Sequence, residues 1–197
     1  MISCDPLPLI TASKELNSEL CLLRKNNEIE KAKELLEKNP ELLITIGWFF
    51  ASDCGRGFLR GAKNYLAIAG KIDDRYIMSA CIQACGNGHM KTLNWLLLLP
   101  NININREYFE EKAFLIASTN GLVEPIKWLL DNGNISDSLL RCVLHNRIIE
   151  SKNNNKYIEL VEFLKNYNDR CKEQYKLVIE YQNLDNNCES DCESDCE

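Results

Sequence analysis

Three cysteines at four-residue intervals, Cys188, Cys192 and Cys196, alternate with Glu189, Asp191, Glu193 and Asp195 at the carboxyl end of the chain. Thiols gathered on one short segment can bind a soft metal ion or join two molecules through disulfides. The carboxylates beside them raise thiol pKa values and oppose the thiolate form that both reactions need. A second set, Cys81, Cys85 and His89, has the same spacing, but Gly86-Asn87-Gly88 interrupts the helix that would align it. No fourth ligand of the kind structural zinc requires accompanies it. Cys81 and Cys85 therefore read as small apolar core residues. The expectation is no metal and no cofactor, with Cys188, Cys192 and Cys196 as the alternative metal- or redox-responsive set.

Catalysis has little to draw on. His89 and His145 are the only histidines, and the sequence contains no nucleophile elbow, phosphate-cradling glycine loop or metalloprotease helix. His89 follows Gly88 at a turn and reads as structural. The expected catalytic set is empty, and the chain is expected not to be an enzyme.

The elements that carry these residues repeat. KTLNWLL from Lys91 and PIKWLL from Pro125 present one helical face twice, each just after a glycine that ends an alanine-containing apolar helix, and Trp95 and Trp128 stand 33 residues apart. A period of that length marks stacked helix pairs. With the second helix of each pair as a phase marker, copies begin at Ala32, Ala62, Leu93, Ile126 and Val161, at spacings of 30, 31, 33 and 35 residues. Five residues before each marker stand Asn27, Gly57, Gly88, Gly121 and Lys156. Glycine and asparagine enter the left-handed region at least cost, which suits the first four to the turn inside a pair. In the fifth copy Asn153 to Asn155 take that role, and Ile148 to Asn155 read as an inserted loop. Trp95, Trp128 and Phe163 share one phase, expected to be a core seam. Trp48 lies outside that register, as the cover of an end pair or a part-exposed hot spot.

Two segments carry a resemblance to a known family. AFLIASTNGLVEPIKWLLDNGNI from Ala113 resembles the ankyrin repeat, with a first helix ending in alanine, a turn at Asn120-Gly121, and a second helix bearing Leu129-Leu130 before Asp131-Asn132-Gly133. ACIQACGNGHMKTLNWLLLLPNININ from Ala80 follows the same pattern, and weaker copies extend it over roughly residues 16 to 166. The family's Thr-Pro-Leu-His segment is missing, and Glu111-Lys112-Ala113-Phe114 stands in its place in the fourth copy. Lysine- and asparagine-rich chains of this kind look similar to those encoded by giant viruses of amoebae and by some intracellular bacteria. The resemblance implies an all-α solenoid of stacked antiparallel helix pairs that binds a partner protein through inter-repeat loops and the concave face. Mapped onto this chain, the implied partner-binding residues are Asp73, Asp74, Arg75, Asn103, Asn105, Arg106, Asn134, Ser136 and Asp137. Arg75 and Arg106 lead among them, because arginine is enriched at hot spots.

Composition bounds the rest. The 197 residues are 45% hydrophobic and 26% charged, as in folded proteins. The net charge of −6 resides in residues 185 to 197, which hold six acids and no base. The remainder balances, so a basic stripe for nucleic acid is not expected. The opening MISCDPLPLI lacks a basic start before an apolar run, and Leu93 to Leu99 is too short to span a bilayer. These features predict a cytoplasmic monomer with reduced thiols, in a host cell's cytoplasm if the chain is viral or an effector, with no membrane contact. The predicted organisation is an N-terminal extension (1–15), repeats at about 16–46, 47–77, 78–110, 111–137 and 138–168, a capping helix (169–183) and a disordered acidic tail (184–197).

Overall fold

The computed structural model describes residues 14–100 and 102–170, and among these every regular element is helical. The chain divides into two compact units, Met1–Ile135 and Ser136–Glu197. The first contains α1 (Lys14–Lys25), α2 (Ile29–Lys38), α3 (Leu42–Gly55), α4 (Leu59–Ala69), α5 (Asp74–Gly86), α6 (Met90–Leu97), α7 (Arg106–Asn120) and α8 (Val123–Asn132). Consecutive helices pack as pairs, α1 on α2 and so on to α7 on α8. The pairs also pack on one another, α3 on α5 and α5 on α7, with α2 on α4.

Each pair turns by the same chemistry. Asn27, Gly57, Gly88 and Gly121 take φ of 64°, 75°, 79° and 69°. The next N–H, of Glu28, Phe58, His89 and Leu122, donates back to the carbonyls of Leu23, Asp53, Ala84 and Ala117 at 2.9, 2.7, 2.8 and 3.0 Å. This closure satisfies carbonyls that a helix end would otherwise leave open. At Gly57 a second constraint acts, since an added Cβ would lie 2.7 Å from Nδ1 of His89. His89 thus packs on the preceding turn.

Successive turns are tied by asparagines. The Asn87 amide donates to the Gly55 carbonyl at 2.8 Å, and that of Asn120 to the Gly86 carbonyl at 2.9 Å and to Oδ1 of Asn87 at 3.0 Å. Asn64 makes a longer contact, 3.3 Å, to Oδ1 of Asn27.

The core follows the repeat phase. Leu20, Phe50, Cys81 and Phe114, each three residues before a turn-closing carbonyl, are fully buried. From the second helices come Ala32, Ala62, Leu93 and Ile126, with Tyr65, Leu96 and Leu129 one position past the expected aromatic phase. Burying a side chain such as leucine stabilises by roughly 1.5–3 kcal/mol, so these rows hold successive pairs together. Trp95 and Trp128, expected in a core seam between pairs, are half-buried. The Trp95 ring still reaches the preceding pair, 6.2 Å from that of Phe50.

The second unit contains α9 (Asp137–Ser151), a 3-10 turn (Asn155–Tyr157) and α10, described over residues 158–170. Among its described residues Leu140, Val143, Tyr157, Leu160, Val161 and Leu164 are buried. The expected loop from Ile148 is corrected, because α9 continues through Ser151 and leaves residues 152–154 as the link. Asn153 to Asn155, expected to supply the left-handed turn of the fifth copy, do not take positive φ, and Asn155 and Lys156 lie in the 3-10 turn. The divisions set at 46/47, 77/78 and 110/111 fall inside α3, α5 and α7, of which α5 and α7 start at the side-chain caps Asp73 and Asn105. Residues 158–170 are one helix across the 168/169 division, while the rest of the expected 169–183 helix, the 184–197 tail and residues 1–13 lie outside the described residues. Among the described residues no helix is long and apolar enough to cross a membrane.

Candidate functional site

All of the sequence-selected residues except Asn103 and Asn134 stand at the starts of first helices, and their types explain why. Asp73, Asn105 and Ser136 are the N-caps of α5, α7 and α9, accepting from the N–H groups of Arg75 (2.9 Å), Tyr108 (2.9 Å) and Leu139 (3.3 Å). Short polar side chains satisfy amides that the helix cannot. Asp74 and Asp137 follow in first turns, where the helix dipole favours acids.

Asp73, Asp74 and Arg75 come together on an open groove of about 540 Å³, lined also by Leu43, Ile44, Gly47, Ala69, Lys71, Ile72 and Tyr76. The Arg75 guanidinium donates to both Asp73 oxygens, at 2.9 and 3.2 Å, and lies 5.9 Å from the centre of the Tyr76 ring. That hydrogen bonding, first from the Arg75 side chain and then from its backbone N–H, holds the Asp73 carboxyl below the ordinary carboxylate range. Tyr76 lies across Gly47, where a Cβ would stand 2.2 Å from the ring. Trp48, 58% exposed, stands at 6.1 Å from Tyr76 in an edge-on arrangement. Leu43 and Ile44 are also exposed. The result is an apolar shelf of Leu43, Ile44, Trp48 and Tyr76 edged by fixed charge.

Arg106 is placed otherwise. Its Nε donates to Glu110 Oε1 at 2.6 Å and its Nη2 to the Asn132 carbonyl at 2.7 Å. Glu110 is 2% exposed, and its Oε2 accepts the Asn134 N–H at 2.7 Å. Arg106, Glu110 and Asn134 therefore fasten α7 to the end of α8. Asn103 is exposed beside Arg106 in a smaller cleft with Leu97, Ile104, Phe109 and Trp128. Ser136 and Asp137 belong to the second unit, where Asp137 pairs with Arg141 at 3.7 Å.

Sequence reasoning missed Leu43, Ile44 and Tyr76 as groove residues. The signal was present in LLITIGWFF, which is apolar around the whole helix where a packed first helix needs only one stripe. It also missed Glu110, which breaks the apolar phase of Ile46 and Ile77, residues at the same place in the earlier pairs.

The thiols sort by burial. Cys54, Cys81 and Cys85 are buried, and desolvation pushes each up to about 12. Among the described residues no group of three or more His, Cys, Asp or Glu is placed to hold a metal ion, so Cys81, Cys85 and His89 are not assembled as ligands. Cys188, Cys192 and Cys196 lie outside the described residues. Cys142 is exposed. With iodoacetamide at pH 8, peptide mapping is expected to show Cys142 alkylated at least about tenfold faster than Cys54, Cys81 and Cys85 until denaturant is added. Equal rates in the native protein would contradict the described packing.

Another partly buried cluster is structural. Arg24 Nη1 donates to Asp53 Oδ2 at 3.1 Å while its guanidinium lies 4.7 Å over the Tyr65 ring. Burial holds the Asp53 carboxyl above its usual value in spite of Arg24 and Arg56. Comparison of the chain with protein-family models, with curated proteins and with solved structures gave no match.

Proposed function

We propose that the chain is a non-enzymatic scaffold, a solenoid of degenerate ankyrin-like helix pairs that binds a partner protein through the groove at the starts of α3 and α5. The observation that carries this reading is the exposure of Trp48 beside Leu43, Ile44 and the Arg75–Tyr76 stack. Binding energy concentrates in aromatic and arginine anchors next to apolar surface, and such a shelf supplies them without a moving part. The repeated left-handed turns and their equivalent hydrogen bonds support the repeat reading, since each helix pair closes alike.

Trp48→Ala and Arg75→Glu test it. Arg106→Glu does not, because Arg106 fastens α7 to α8 and its loss mixes folding with binding. In quantitative pull-downs from the source cell, a protein retained by the intact chain is expected to fall by about tenfold or more with either substitution. Thermal melts of both variants are expected to match the parent. Equal recovery from all three proteins would remove the groove as the docking face.

A further inference from the structure

The second helices in the middle of the chain carry an uncompensated charge. Between Arg56 and Lys91 the only acids are Asp73 and Asp74, and Asp73 is taken by Arg75. Helices α4 and α6 contain no acid at all. Arg56, Arg60, Lys63 and Lys91 are exposed, and among the described residues none forms a close ion pair, although the Arg56 charge also acts on the nearby Asp53 carboxyl.

These bases lie along one surface. Arg60 and Lys63 are neighbours on the face of α4, three residues apart. Arg56 is the residue after α3, at the turn that leads into α4. Lys91 occupies in α6 the place of Arg60 in α4, as the second residue after the N-cap. Nζ of Lys63 lies 5.8 Å from the centre of the Trp95 ring, which puts the Lys63 charge against α6. Phe58, 58% exposed, sits in the turn between Arg56 and Arg60.

The strip is bounded. In α2 the same place is held by Glu30, paired with Lys33 at 2.9 Å, and in α8 by Glu124. A nucleic acid is held by a basic track that follows its backbone. Four bases ending at acids on both sides, around one exposed phenylalanine, match a short anionic segment with an apolar residue.

We propose that the Arg56, Arg60, Lys63 and Lys91 strip is a second docking surface, which takes an acidic segment of a partner protein with an apolar side chain against Phe58. Charge complementarity carries the assignment, as clustered unpaired cations steer and orient an anionic partner. The surface is separate from the groove of α3 and α5, and either can fail without the other.

The test uses the full chain and a fluorescein-labelled peptide of glutamates around one phenylalanine, read by anisotropy at low salt. Arg60→Glu with Lys91→Glu is expected to weaken binding about tenfold or more, and the corresponding glutamine pair by less. Phe58→Ala is expected to weaken it several-fold. Lys14→Glu with Lys38→Glu makes the same change in net charge at exposed sites elsewhere and is expected to leave affinity within about twofold. Circular dichroism melts check that each variant is folded. The proposal is overturned if the peptide does not bind, or if both glutamate pairs weaken it equally, which would mean a net-charge effect only. It is also overturned if a labelled single-stranded DNA of equal charge binds more tightly through the same residues.

Discussion

Phe50→Ala is expected to lower the unfolding free energy by about 3–5 kcal/mol, the cost of deleting a buried aromatic ring and leaving most of its volume empty. Phe50 is fully buried on α3, and its ring meets Trp95 from α6. The gap would open between two helix pairs, where close-packed neighbours relax only in part. A domain's whole stability is about 5–15 kcal/mol, so this one change removes a large share of it. In urea titrations the midpoint should fall sharply with the slope unchanged. Cys81 holds the equivalent place in the next pair, and Cys81→Ala is expected to cost far less because less volume is lost. If Phe50→Ala melts with the parent, the described core is wrong.

Glu110→Ala is expected to cost about 2–3 kcal/mol, for a different reason. The carboxylate occupies a phase that is isoleucine in the two preceding pairs, Ile46 and Ile77. A buried charge survives there because Arg106 and the Asn134 N–H both donate to it. Removing it leaves the Asn134 amide without its acceptor and takes from Arg106 the carboxylate that orients it toward the Asn132 carbonyl. Arg106 itself is largely exposed, so its freed charge returns to water and adds little. Glu110→Gln keeps an acceptor and should cost about half as much. Differential scanning calorimetry of the two variants separates these values, and an unchanged melting temperature for Glu110→Ala would dismiss the fastening role.

The helical class and the turns were legible because each rests on a residue type with a single physical reason. Asn27, Gly57, Gly88 and Gly121 mark positive φ, which other side chains resist, and the four do adopt it. Helix starts were less legible. Asp73, Asn105 and Ser136 read equally as loop residues or caps, and only the hydrogen bonds decide. The tryptophans were half legible, because a large ring at the right period marks a seam without telling its centre from its edge. In the structure leucine fills the centre, and the indole of Trp95 spans its edge, with one face toward Lys63. The groove was half legible. Its charged rim came from the stretch Lys71 to Arg75 that leads into α5, whereas all of the shelf but Tyr76 comes from α3, one pair earlier in sequence. Nothing in a linear reading joins those two segments except the packing of α3 on α5. Arg106 and Glu110 illustrate the same limit, since the bond that defines them reaches across to Asn132 and Asn134.

The asparagine ties between turns bear on where the polypeptide tolerates being shortened. The Gly55 carbonyl is met by Asn87 and the Gly86 carbonyl by Asn120, so these two turns borrow an amide from the module that follows. Deleting a module from the carboxyl side therefore strips a partner from the one before it, besides baring its apolar flank. Pieces cut so as to lose Asn87 or Asn120 would be poorer than their parent, with the deficit falling on the newly terminal turn.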